Sequence, residues 1–173
     1  NRKTLSYPSL RNFVKIEITR LILERFGHVD AIAGVATGAI PQGALVADAL
    51  NLPFVYVRST PKDHGLENLI EGELRPGMKV VVVEDLISTG GSSLKAVEAI
   101  RRDGCEVIGM VAAYTYGFPV AEKAFKDAKV PLVTLTNYEA VMEVALRTGY
   151  IEEEDVETLN EWRKDPAHWE SGK

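Results

Sequence analysis

Apolar residues near the start of the chain recur at steps of three and four. Leu10, Val14, Ile18, Leu21, Ile22 and Phe26 fall on one stripe of a helix, which Gly27 is placed to end. The pattern then changes. DAIAGVA (30–36) is a short unbroken apolar run entering a glycine-containing turn, and IPQGALVADAL (40–50) returns to helical spacing. FVYVR (54–58) is rich in strand formers. Residues 59–76, which contain KDHG, EN and RPG, are polar and predict an exposed loop or hairpin. MKVVVVED (78–85) is the clearest strand. A helix follows over 92–103, with Leu94, Val97 and Ile100 on one side. CEVIGMVAAYTYG predicts a strand, PVAEKAFKDA a helix and VPLVTL (130–135) a strand, and helical patterns at 138–148 and 152–164 close the chain.

The strand runs lack polar alternation, as expected when helices cover both faces of a parallel sheet. Strand–helix alternation of this kind predicts an α/β fold with an open, mainly parallel twisted sheet flanked by helices. Without an internal repeat, low-complexity stretch or linker, residues 1–173 read as one domain. The acidic run EEED (152–155) suits the positive end of a helix dipole.

Composition narrows the function. A net charge of −5 argues against nucleic acid or an anionic membrane as the main partner, while leaving room for a local anion pocket. A single cysteine, Cys105, excludes an internal disulfide and a cysteine metal cluster, and its setting predicts a small buried hydrophobe. No apolar stretch approaches the roughly 20 residues a bilayer crossing needs, and no signal peptide is visible, so a cytoplasmic location is expected. The chain opens on Asn1, and an N-terminal segment is expected to precede it. His28 and His168 lack partner patterns and read as structural or exposed.

The chemistry concentrates in VVVVEDLISTGGSS (80–93), where a buried strand runs into two carboxylates and a Ser/Thr/Gly loop. Ligands in such sheets bind beyond the carboxyl ends of the strands. Gly90 and Gly91 let the backbone curl closely, so that successive N–H groups and the following helix N-terminus converge on an anion. Ser88, Thr89, Ser92 and Ser93 add hydroxyl donors. The loop therefore suits a phosphate monoester. It carries neither the Walker Gly-Lys-Ser/Thr nor the dinucleotide Gly-x-Gly-x-x-Gly pattern. Glu84 and Asp85 would repel phosphate, yet they accept hydrogen bonds from sugar hydroxyls, and Mg²⁺ favours oxygen ligands. A ribose 5-phosphate unit meets both requirements.

This stretch resembles the phosphoribosyl-pyrophosphate (PRPP) signature of the type I phosphoribosyltransferases. RSTPKDHG (58–65) is similar to the mobile catalytic loop of the orotate phosphoribosyltransferases within that family, and the loop or hairpin at 59–76 occupies its place. AGVATGAIPQGALVA (33–47) takes the place of the family's pyrophosphate turn, NRKTLSYP (1–8) follows the place of its substrate-binding N-terminal segment, and TYGFP and LVTLTNY resemble its short bacterial form.

The resemblance implies a type I phosphoribosyltransferase domain with a small hood formed by terminal segments. The implied activity is transfer of the phosphoribosyl group of PRPP to orotate, giving orotidine 5′-monophosphate and pyrophosphate in UMP biosynthesis. It implies PRPP contacts from Arg58, Lys62, His64, Glu84, Asp85, Leu86, Ile87, Ser88, Thr89, Gly90, Gly91 and Ser92. Lys62, His64 and Asp85 would be catalytic, and Ser88 would bind orotate. Mg²⁺ would be held mainly by PRPP and water. A homodimer with the catalytic loop acting in trans is implied, with neither nucleic acid nor membrane as a partner. The chain departs from some relatives in three ways: Ser59 stands where many carry lysine, Ala-Thr-Gly stands at 36–38 in place of Tyr-Lys-Gly, and no arginine neighbours Tyr116, leaving Arg2 or a preceding lysine for the orotate carboxylate. A phosphoribosyltransferase for another nucleobase and a non-catalytic PRPP-sensing regulator are the alternative readings.

Overall fold

Two compact units make up the chain, Asn1–Thr136 and Asn137–Lys173. The computed structural model describes residues 2–60, 69–166 and 168–169. In the first unit a 3₁₀ turn (Arg2–Ser6) leads into α1 (Pro8–Arg25), β1 (Ala31–Val35), α2 (Ile40–Leu50), β2 (Phe54–Val57), β3 (Ile70–Glu71), β4 (Lys79–Ile87), α3 (Gly91–Arg102), β5 (Glu106–Thr115), α4 (Pro119–Asp127) and β6 (Leu132–Asn137). The six-stranded sheet has the order β3-β2-β1-β4-β5-β6. β1 runs parallel to β2 and β4, β4 runs parallel to β5, and β3 is antiparallel to its partner β2.

The valines of β4 explain the missing polar alternation. Val80 and Val82 point into one apolar layer, with Ala31, Ala33, Val97, Ile100 and Phe125. Val81 and Val83 point into the other, with Ile18, Ile22, Ile32 and Val46. Helices α3 and α4 thus cover one face, and α1 and α2 the other. All four valines are fully buried, each contributing about 1.5–3 kcal/mol by leaving water. Connections from β1 leave toward β2 on one side, while β4 lies on the other, so the strand order reverses between β1 and β4. In an open α/β sheet that reversal marks the ligand crevice.

Several boundaries differ from the sequence pattern. Helix α1 stops at Arg25 rather than Gly27, because Phe26 turns extended and buries its ring against the sheet. β4 runs two residues past the acidic pair, since Leu86 and Ile87 keep pairing with Tyr114 and Thr115 of β5. The polar segment after β2 contains the short strand β3, which sets Ile70 opposite Val57. Cys105 is buried as expected; its thiol donates to the Arg75 carbonyl, and burial pushes its pKa up. His28 is exposed and pairs with Asp30, and His168 is exposed and pairs with Asp165.

In the second unit, α5 (Tyr138–Arg147) is capped by Asn137, whose side chain accepts from the Ala140 N–H. The EEED run does open a helix, α6 (Glu153–Lys164), and Asp155 completes a capping box with Glu152. The Tyr138 hydroxyl donates to the Leu159 carbonyl, and the Arg163 guanidinium lies 4.7 Å over the Tyr138 ring.

Candidate active site

Two turns meet at the reversal point, one after β1 and one after β4. The β4 turn is short: only Ser88, Thr89 and Gly90 separate strand from helix. Gly90 makes the corner with φ +81°, a conformation that strains any residue with a Cβ, and an added Cβ would also press on the Phe125 ring at 2.8 Å. Helix α3 makes its first bond from the Leu94 N–H to the Gly90 carbonyl. The N–H groups of its first turn, at Gly91, Ser92 and Ser93, have no partner within the helix and point past its N-terminus, and no side chain caps them. Exposed Thr89, Gly91 and Ser92 surround this end, with half-buried Ser88 beside them. The arrangement is a cradle suited to a phosphate, because helix dipole and convergent N–H groups favour negative charge.

Glu84 and Asp85 occupy opposite environments just before that corner. Glu84 is only 5% exposed, and both its oxygens are engaged. Oε2 accepts from Ser93 Oγ at 2.8 Å and Oε1 from the Asp85 N–H at 2.9 Å. Burial pushes the Glu84 pKa up to about 7, and Asp85 adds to the rise while the two hydrogen bonds oppose it. Asp85 is half-buried, and its Oδ2 lies 3.6 Å from Arg2 Nε. Its carboxylate packs against Gly38 in the β1 turn so closely that a Cβ at that glycine would overlap Oδ2. Gly38 is therefore part of the site, the residue whose missing side chain lets the two turns touch.

A cleft of about 410 Å³ runs from the cradle toward the sheet edge, lined among others by Ala36, Arg58, Ser59, Gly91, Ser92 and Lys95. Arg58 stands at its rim, its N–H on the Leu69 carbonyl and its Nη1 3.4 Å from Glu71 Oε1. Arg58, Ser59 and Leu69, which flank the paired ends of β2 and β3, line this cleft.

Arg58, Gly91 and Ser92 line this cleft, Ser88, Thr89 and Gly90 form the corner beside it, and Glu84 and Asp85 line a separate small cavity just before that corner. Lys62 and His64 lie outside the described residues. Ile87 is fully buried in the core, and its carbonyl accepts from the Tyr116 N–H, so its side chain faces away from any ligand. Ser93, grouped by its sequence with the hydroxyl donors to the anion, is buried and donates to Glu84 instead. Its place on α3 carried the signal, because it shares the apolar face of Val97 and Ile100. Gln42 and Gly38 also border the acidic pair, and nothing in their local sequence marks them for it. Beside the corner stands an aromatic row: Tyr114 meets Tyr116 edge to face at 5.1 Å, and Tyr116 stacks on Phe118 at 5.3 Å. Among the described residues, no three His, Cys, Asp or Glu side chains converge as a metal site, and no helix is long and apolar enough to cross a membrane.

A strand-end acid pair beside an open helix N-terminus at this reversal point suits a phosphorylated sugar, and the family model of the phosphoribosyl transferase domain matches residues 10–147. The chain belongs to that family. Within it, the chain is 94% identical over all its 173 residues to proteins named orotate phosphoribosyltransferase from Bacteroides fragilis and Bacteroides thetaiotaomicron, covering 82% of each. Among solved structures it is similar to the orotate phosphoribosyltransferase of Aeropyrum pernix, with a TM-score of 0.76, 28% identity and coverage of 87% of this chain and 82% of that one.

Proposed function

We propose that this chain transfers the phosphoribosyl group of PRPP to orotate, releasing pyrophosphate and forming orotidine 5′-monophosphate for UMP biosynthesis. The observation that carries the reading is the contrast across one corner. A cradle of N–H and O–H donors suits a phosphate, and the carboxylates immediately before it suit the hydroxyls of the attached ribose. The orotate assignment is supported by the 94% identity to the named Bacteroides proteins.

In this reading the corner from Ser88 to Ser92 seats the 5-phosphate. Glu84 is fixed by Ser93 and the Asp85 N–H, and it presents its remaining lone pairs to the ribose. Asp85 faces the developing positive charge of the ring. Breaking the anomeric C–O bond moves negative charge onto pyrophosphate, which Arg58, Lys62 and His64 stabilise, and Lys62 or His64 is positioned by sequence to transfer a proton. Ser88 hydrogen-bonds the orotate, the aromatic row around Tyr116 flanks a flat ring, and Arg2 supplies a cation for its carboxylate.

Asp85 is the acid left partly open, with 22% of its side chain exposed. This fits Mg²⁺ carried mainly by PRPP and water; when bound, the ion would neutralise charge on the pyrophosphate oxygens. We propose further, by the family resemblance, a C₂ dimer in which the Lys62 segment acts on the neighbour's site, and a cytoplasmic location. The test is an absorbance assay of orotate consumption with PRPP and Mg²⁺, run beside uracil, adenine, guanine and xanthine. Orotate-dependent loss of absorbance is expected. Pyrophosphate release with another base only, or with none, overturns the reading.

A further inference from the structure

We infer that the Gln42 side-chain amide pairs with a hydroxylic oxygen held between it and the Glu84–Asp85 carboxylates, which makes Gln42 a further residue of the sugar side of the site. The inference rests on the phosphoribosyl-transfer reading. Gln42 lies in the first turn of α2, on the face it shares with buried Val46. It is only 6% exposed, and neither its Oε1 nor its Nε2 has a hydrogen-bond partner among the described residues. An apolar side chain of the same length would avoid this desolvation, so a buried amide here points to a use for it.

The use is set by what lies in front of it. Arg2, Gly38, Gln42, Glu84 and Asp85 line one small cavity of about 40 Å³, walled on its other side by Ile18 and its apolar neighbours. A water molecule's share of liquid volume is about 30 Å³, so the space takes one oxygen and excludes a sugar ring or a base. The acids need a donor and the amide Nε2 needs an acceptor. An anion would be repelled by two carboxylates. A bare cation would leave Nε2 unpaired and compete with the Arg2 guanidinium, which sits 3.6 Å from Asp85. A hydroxylic oxygen answers both demands at once. Its source is either an internal water or a hydroxyl of the bound pentose entering from the crevice.

The experiment uses Gln42→Met and, as a second apolar variant, Gln42→Leu, each measured for kcat, for KM toward PRPP and orotate, and for the Tm of the ligand-free protein. Loss of one hydrogen bond to the sugar side should lower kcat/KM for PRPP about tenfold while KM for orotate holds. A Tm about 2–4 °C lower than wild type assigns the oxygen to an internal water. A Tm higher by a similar margin assigns it to the pentose, because the amide is then orphaned until substrate arrives. If kcat/KM for PRPP stays within about twofold of wild type in both variants, whatever the Tm, the inference fails. Failure of the underlying reading looks different, since wild type itself would then show no PRPP-dependent turnover.

Discussion

Replacing Glu84 with glutamine keeps the side chain's size, removes its charge and tests how the site holds a buried acid. Folding raises the Glu84 pKa from 4.5 to about 7, chiefly by burial. A group raised in this way stabilises the folded protein while protonated and withdraws that stability as pH climbs through the folded value. At 1.36 kcal/mol per pH unit, the ionised wild type carries a penalty of roughly 3 kcal/mol at pH 8 but only about 1 kcal/mol at pH 5. Glutamine escapes the penalty but cannot accept from both donors: its oxygen accepts from the Asp85 N–H and its NH₂ group donates to Ser93 Oγ, which leaves the Ser93 hydroxyl proton without its acceptor. That lost bond costs about 1 kcal/mol. The net gain is then about 2 kcal/mol at pH 8, a rise in Tm of roughly 4–8 °C, and close to zero at pH 5. Thermal unfolding of both proteins at the two pH values and one ionic strength measures it. Turnover should fall in parallel, because an amide NH₂ replaces an acceptor facing the ribose. A Tm difference that is the same at pH 5 and pH 8 would refute the buried-acid account.

Two further predictions concern the turns that meet there. Gly38→Ala puts a methyl group where the Asp85 carboxylate lies, so kcat/KM for PRPP should fall by at least about tenfold, and near-wild-type kinetics would show that the carboxylate can move aside without loss. Lys62→Ala should lower kcat about 100-fold, as expected for loss of one strong charge stabiliser. Mixed with Asp85→Asn under conditions of subunit exchange, it should regain activity if the Lys62 segment acts in trans; exchange without recovery would remove the trans arrangement.

How far the sequence reached follows from which interactions are local. The apolar run 80–83 reveals a strand covered on both faces, and the two valine layers of β4 are the reason. The acid pair and the Ser/Thr/Gly corner are legible because a strand end, a cradle and a helix start are contiguous in the chain. β3 is not legible: it has two residues in a polar segment and exists only by pairing with β2. Nor was the Gly38–Asp85 contact, which depends on β1 lying beside β4. Ser93 and Gln42 stand between these cases. Both fall on buried helix faces, four residues before Val97 and Val46 respectively, so periodicity marks them as inward-facing polar residues. What each faces is tertiary information, and for Ser93 it reversed the assignment from anion donor to carboxylate partner.

Titration calorimetry of the full-length protein with PRPP in the presence of Mg²⁺ reaches the central claim without relying on the base or on turnover. A saturable heat at one site per chain, strongly reduced when Glu84 and Asp85 are both replaced by leucine, is the result the acid-and-cradle geometry requires. Absence of any heat, or binding that ignores both substitutions, would contradict it.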